Sequence, residues 1–171
     1  MESEAKNATK SRKKRKQTRK KAQQEYESYI FAIDDWEWAF HFGVNQTKHL
    51  EGPYADYRHL HLRGRLLAPS RIKADGVQAI LFPRTIEKED CFGVEGPKSV
   101  GSVQLTRGQF TAMLTMPDDA LGPTLQMLIA GKFRFLDMHG LRMRYGSGQI
   151  TSYALEMNID EEDMPESEII L

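Results

Sequence analysis

Cysteine occurs once in the 171 residues, at Cys91, so no intrachain disulfide can form. That fits a reducing compartment. Charges interrupt every apolar run well before the length of a membrane span, so none is expected. The amino-terminal end has the positive charge of a signal peptide but not the apolar stretch that follows one, and secretion is not expected. The expected location is the cytoplasm, or the nucleus of a eukaryotic cell if the basic end acts as an import signal. The chain also lacks a phosphate-cradling glycine motif, an H-E-x-x-H helix and an internal repeat. Ser147 lies between two glycines, but without G-x-S-x-G spacing it reads as a hairpin turn rather than a nucleophile elbow. Cys91 follows Glu87, Glu89 and Asp90, whose charge disfavours a reactive thiolate. Neither a catalytic group nor a cofactor is indicated.

Net charge is absent too: 24 Lys and Arg balance 24 Asp and Glu. The zero hides a strong segregation. Residues 1–25 hold ten bases against three acids, residues 156–171 hold seven acids and no base, and residues 26–155 hold fourteen of each. The implied organisation is a basic, largely disordered arm over 1–25, one globular domain over 26–157 and an acidic tail over 158–171.

Lys13, Lys14, Arg15, Lys16, Arg19 and Lys20 dominate the arm. Such a run attracts phosphates by counterion release, without reading sequence. It also suits an import signal, contact with an anionic membrane, a solubilising tail, or pairing with the acidic end of the same chain. The acidic end reads as an electrostatic competitor for a basic segment or as a solvated terminus.

The body is patterned for strands. Trp36, Trp38, Phe40, Phe42 and Val44 alternate with smaller or polar residues, a period of two that predicts a half-buried strand. Tyr29–Ile33 is an earlier strand or the start of the same one, and 45–56 reads as a loop. Residues 57–67 predict a second strand, with Leu60, Leu62, Gly64 and Leu66 on one face and Tyr57, His59, His61, Arg63 and Arg65 on the other. Further strands are expected at 77–82, 100–106, 109–115, 133–138, 141–145 and 149–157, with 83–98 an exposed loop. Tight hairpins are expected at Arg107-Gly108 and around Gly146 to Gly148. Leu121, Leu125, Leu128 and Ile129 share a helical face, predicting a helix over about 119–131 that starts at Asp118 or Asp119 and stops at Gly131. The fold class is mainly β: an antiparallel sandwich or partly open barrel of about seven or eight strands with one covering helix.

Two constellations carry chemistry. The stripe Tyr57, His59, His61, Arg63, Arg65 puts phosphate donors beside stacking surfaces, a platform for single-stranded nucleic acid. Arg142 and Arg144 form a second in-phase basic pair. Either can also be an ordinary solvent face of an antiparallel sheet. His59 and His61 form an H-x-H pair able to face one metal ion, with His41, His49 and Asp56 as further ligands, but no carboxylate follows at a known spacing and two arginines do, which disfavours a cation. Trp36 and Trp38 fit core packing better than a binding groove. The leading expectation is a non-enzymatic binding module for nucleic acid or another polyanion. A protein–protein adaptor or assembly subunit, solubilised by its charged ends, is the rival, and a small metal-dependent enzyme using His59 and His61 is a third reading.

Overall fold

A computed structural model describes residues 25–44, 52–85 and 98–159; the arm, His49, Cys91 and the acidic tail beyond Ile159 lie outside these. The strand pattern around Tyr29 and the alternation from Trp36 merge into one strand, β1 (Tyr26–Val44), of 19 residues. It is followed by β2 (Tyr54–Ala68), β3 (Gly76–Arg84), β4 (Gly101–Thr106), β5 (Gln109–Pro117), helix α1 (Asp118–Ile129), β6 (Phe135–Leu141) and β7 (Ser147–Glu156). The strands hydrogen-bond in the order β1-β2-β3-β5-β4-β7-β6, and pairing of β6 with the first third of β1 closes the ring into a barrel. The mainly β class, with seven strands and one helix among the described residues, is as the sequence implied. Pairing is antiparallel except between β3 and β5, which run parallel because β5 inserts between β3 and β4.

One register shift matters for everything downstream. Ile33 pairs with Gly64 and Asp35 with Arg63, so Asp34 is an extra residue in β1. A bulge of this kind reverses the facing of all later residues. Before it, Tyr29 and Phe31 point into the barrel; after it, Trp36 and Trp38 do, where they pack on the core. Gly64 sits opposite the bulge, and a Cβ there would lie 1.8 Å from the Ala32 carbonyl oxygen, so the site accepts only glycine.

The interior is filled rather than hollow. Tyr29, Phe31, Phe110, Leu60, Leu62, Leu81, Leu114 and Ile150 are fully buried and belong to one cluster. Helix α1 adds Leu128 to it and packs Ala120, Leu121 and Leu125 on its margin, while Ile129, expected on the same face, is exposed. The helix begins after Pro117 without a side-chain cap; Asp118 and Asp119 occupy its first turn instead, where they favour the helix dipole. It ends at Gly131, in the left-handed region at φ 64°. The Gly131 N–H bonds the Leu128 carbonyl and the Lys132 N–H the Met127 carbonyl, a Schellman closure.

The two hairpins form at two-residue turns. Arg107-Gly108 joins β4 to β5 as expected, both residues at positive φ. The last turn is Tyr145-Gly146, one residue earlier than the glycine pair suggested, and Leu141–Tyr145 is not a separate strand but the end of β6 and its exit. β2 likewise starts at Tyr54, inside the stretch that reads as loop.

Candidate functional site

β1 and β2 are longer than the barrel wall. β6 accompanies β1 only to Ala32, and β3 accompanies β2 only from Leu60 onward. Residues 39–44 and 54–59 therefore continue as a two-stranded ribbon paired only to itself among the described residues. By the alternation of a strand, Phe40, Phe42 and Val44 lie on the same face as Trp36 and Trp38, but beyond the core that buries the tryptophans. Phe40, Phe42, Val44 and Tyr54 are 60%, 59%, 70% and 61% exposed. The Phe40 and Phe42 rings stack at 6.5 Å, and those of Phe42 and Tyr54 at 5.4 Å. At the ribbon's foot Arg58 bonds Asp56 at 2.7 Å and reaches Asp118 of α1 at 3.4 Å.

The opposite face carries the stripe. Tyr57, His59, His61, Arg63 and Arg65 do share the outer face of β2, but they are engaged there. Arg63 pairs with Glu37 at 2.5 Å and Asp35 at 3.3 Å, and Arg65 with Asp34 at 3.3 Å. The guanidinium of Arg63 holds the Glu37 carboxyl below its usual value, by hydrogen bond first and charge second. His61 Nε2 lies 2.9 Å from Gln78 Oε1, while the Gln78 amide donates to Thr111 Oγ1 at 3.0 Å. Arg63 Nη2 lies 3.4 Å from His61 Nδ1. The network assigns a proton to Nε2 and leaves Nδ1 as the acceptor. A polar ladder thus runs across β1, β2, β3 and β5, and neither nitrogen of His61 is free for a metal. His59 is half-buried between Tyr57 and Phe82, with ring centroids 5.1 and 6.5 Å away. Among the described residues no group of three or more His, Cys, Asp or Glu is placed to hold a metal ion.

Arg142 and Arg144 lie elsewhere, at the root of the arm. The Arg142 N–H donates to the Glu25 carbonyl at 2.8 Å, and its guanidinium bonds the Glu25 carboxylate, which it holds below its usual pKa; the charge of Arg144 adds to the effect. Both arginines line an open cleft with Ser102, Ser147 and Gln149. Arg71 bonds Glu27 two residues further on. The stripe and this pair are therefore separate surfaces: Arg65 is opposite Ala32, about 20 Å along β1 from Tyr26. The expected contacts on Lys13, Lys14, Arg15, Lys16, Arg19 and Lys20 lie outside the described residues.

The exposed aromatic ribbon escaped the sequence reading, which took its alternation for core. The signal that marks it is the polarity of what lies opposite: Phe40 faces Arg58 and Phe42 faces Asp56, whereas Trp36 and Trp38 face Leu62 and Leu60. Compared with known proteins, the chain matches no family model, no curated protein and no solved structure. Among the described residues no helix is long and apolar enough to cross a membrane.

Proposed function

We propose that the protein is a non-enzymatic binding module for an anionic polymer, nucleic acid in the first place, gripped by the basic arm together with Arg142 and Arg144. The observation that carries this reading is the point from which the arm continues: Glu25, the residue that follows the ten Lys and Arg of 1–24 in sequence, is held by Arg142, with the charge of Arg144 acting on it too. Phosphate contacts of this kind position a polymer without reading its sequence. Arg63 and Arg65 face carboxylates as Arg142 does, and they have a lesser part because they lie on a separate surface, about 20 Å along β1 from where the arm is rooted. The test is an anisotropy titration of a labelled single-stranded oligonucleotide at low salt. Replacing the six arm residues Lys13, Lys14, Arg15, Lys16, Arg19 and Lys20 by Gln should cost at least tenfold in affinity, Arg142→Gln with Arg144→Gln a few-fold, and Arg63→Gln with Arg65→Gln least. Absence of binding by the intact chain at low salt defeats the proposal. The adaptor reading has its own supporting observation, the exposed aromatic ribbon, which a phosphate-binding arm leaves without a role.

A further inference from the structure

We infer that the acidic tail, residues 160–168, folds back within its own chain onto the basic arm and the arginines beside Glu25, and so competes with a polyanion for that site. This rests on the polyanion reading for what the tail regulates, whereas the contact itself can be read alone. It starts from two residues on the outside of the barrel that are nonetheless buried. By the alternation of β1, Tyr29 and Phe31 point inward and Ile30 and Ala32 outward, yet Ile30 and Ala32 are only 2% and 7% exposed. They belong to a second apolar cluster, formed with Leu67 and packed by Ala68, Phe135 and Ile159. Ile159 lies three residues past the end of β7 at Glu156, which pairs with Phe135 of β6. The chain thus turns from β7 across β6, and Ile159 fastens the start of the tail on the outer face of β1 and β2.

That fastening sets the tail beside the arm. From Ala32 back to Glu25 is seven residues, so the two points are at most about 24 Å apart however the strand curves. The nine residues from Ile159 to Glu168 reach about 30 Å when extended. The carboxylate on the way, Asp137, is tied to Ser28 at 2.8 Å and His139 at 3.0 Å. At the far end Arg71 and Arg142 meet Glu27 and Glu25, and the charge of Arg144 makes three guanidiniums against two carboxylates. Residues 1–24 add ten Lys and Arg against Glu2 and Glu4. Residues 26–155 carry fourteen bases and fourteen acids, so the body offers that excess no net counter-charge. The tail does: Asp160, Glu161, Glu162, Asp163, Glu166 and Glu168 follow Ile159 without a base among them. A tether of this length gives an effective concentration of about 1 mM, well above that of a second copy in dilute solution.

Two measurements on the full-length chain, freed of nucleic acid, test this. Carbodiimide joins a lysine to a carboxylate that touches it, and peptide mass maps the product. At about 50 mM salt the monomer band should carry links between the lysines of 6–21 and the acids of 160–168, lost near 0.5 M as exposed ion pairs are screened. Anisotropy with a labelled single-stranded oligonucleotide reads the competition. At about 1 mM effective concentration and a tail–arm Kd of about 0.1 mM, replacing the six tail acids by Asn or Gln should tighten binding about tenfold. Ile159→Ser removes the fastening without changing charge; it should tighten binding a few-fold and thin the links, with circular dichroism unchanged. Both gains should vanish in the six-residue arm variant. Absence of links in the monomer at low salt overturns the inference, and so do links confined to a species of twice the monomer mass. A neutral tail that binds no tighter also overturns it. So does a neutral tail that binds tighter while Ile159→Ser does not, since plain repulsion of the oligonucleotide would then suffice. If no form binds the oligonucleotide, the polyanion reading fails and the links alone decide the contact.

Discussion

Tyr29→Phe removes one oxygen atom from the place where β1 meets the exit of β6 and tests how the ring of strands is held closed. Tyr29 is fully buried, with its ring 6.1 Å from that of Phe110. Its hydroxyl donates to the Leu141 carbonyl at 3.1 Å and accepts the Met143 N–H at 2.9 Å. It thereby holds the exit of β6 against the start of β1, close to where Arg142 meets Glu25. The phenylalanine ring keeps the packing and leaves two main-chain groups without this partner. At about 1–3 kcal/mol for each buried group left unsatisfied, and with water able to reach a segment near the surface, the expected loss is about 2–4 kcal/mol. For a chain of this size that is a fall in melting temperature of roughly 5–12 °C. Tyr153→Phe is the control: its hydroxyl makes one bond, to the Thr115 carbonyl at 3.0 Å, on a more exposed ring, and should cost about 1 kcal/mol. Thermal unfolding followed by circular dichroism reads both. A Tyr29→Phe protein that melts with the wild type, or above Tyr153→Phe, refutes the reasoning.

Alkaline unfolding gives a second view of the same groups. Burial pushes the phenols of Tyr29 and Tyr153 from 10.0 up to about 12, so the stability they contribute is whole below pH 10 and lost as pH rises through about 12; Tyr29→Phe should flatten the fall in denaturant midpoint across that window. Gly64→Ala forces a Cβ onto the Ala32 carbonyl and should lower stability by about 3 kcal/mol, read as a shift in the urea midpoint; an unshifted midpoint would mean the β1 bulge is not rigid. Trp38→Asp should destabilise by at least ~2 kcal/mol more than His61→Asn, since the first puts a charge against the core and the second loosens one rung of a surface ladder. Equal melting temperatures for those two would invert the faces assigned to β1 and β2.

What the sequence made legible follows from how locally each feature is encoded. The Leu60, Leu62, Leu66 alternation, the α1 face with its Gly131 stop and the Arg107-Gly108 turn are written in neighbouring residues, and each appears in the fold. Ring closure by β6 on β1 and the parallel β3–β5 pair depend on contacts between distant segments, which period and turn chemistry do not encode. The shared face of Tyr57, His59, His61, Arg63 and Arg65 was legible for the same local reason. Its neutralisation was not, because Asp34, Asp35 and Glu37 become neighbours only through the register of β1 on β2. Phe40 and Phe42 carry the pattern of a core strand, and only the end of the barrel wall leaves them exposed.

The salt dependence of nucleic-acid binding tests the central claim most directly. If the arm, Arg142 and Arg144 neutralise about six to eight phosphates, log affinity for a single strand should fall with log salt at a slope of about −4 to −6. The six-residue arm variant should flatten that slope, while Arg63→Gln with Arg65→Gln should leave it nearly unchanged. A slope near zero for the intact protein, or a steep slope that the arm variant retains, would contradict the account.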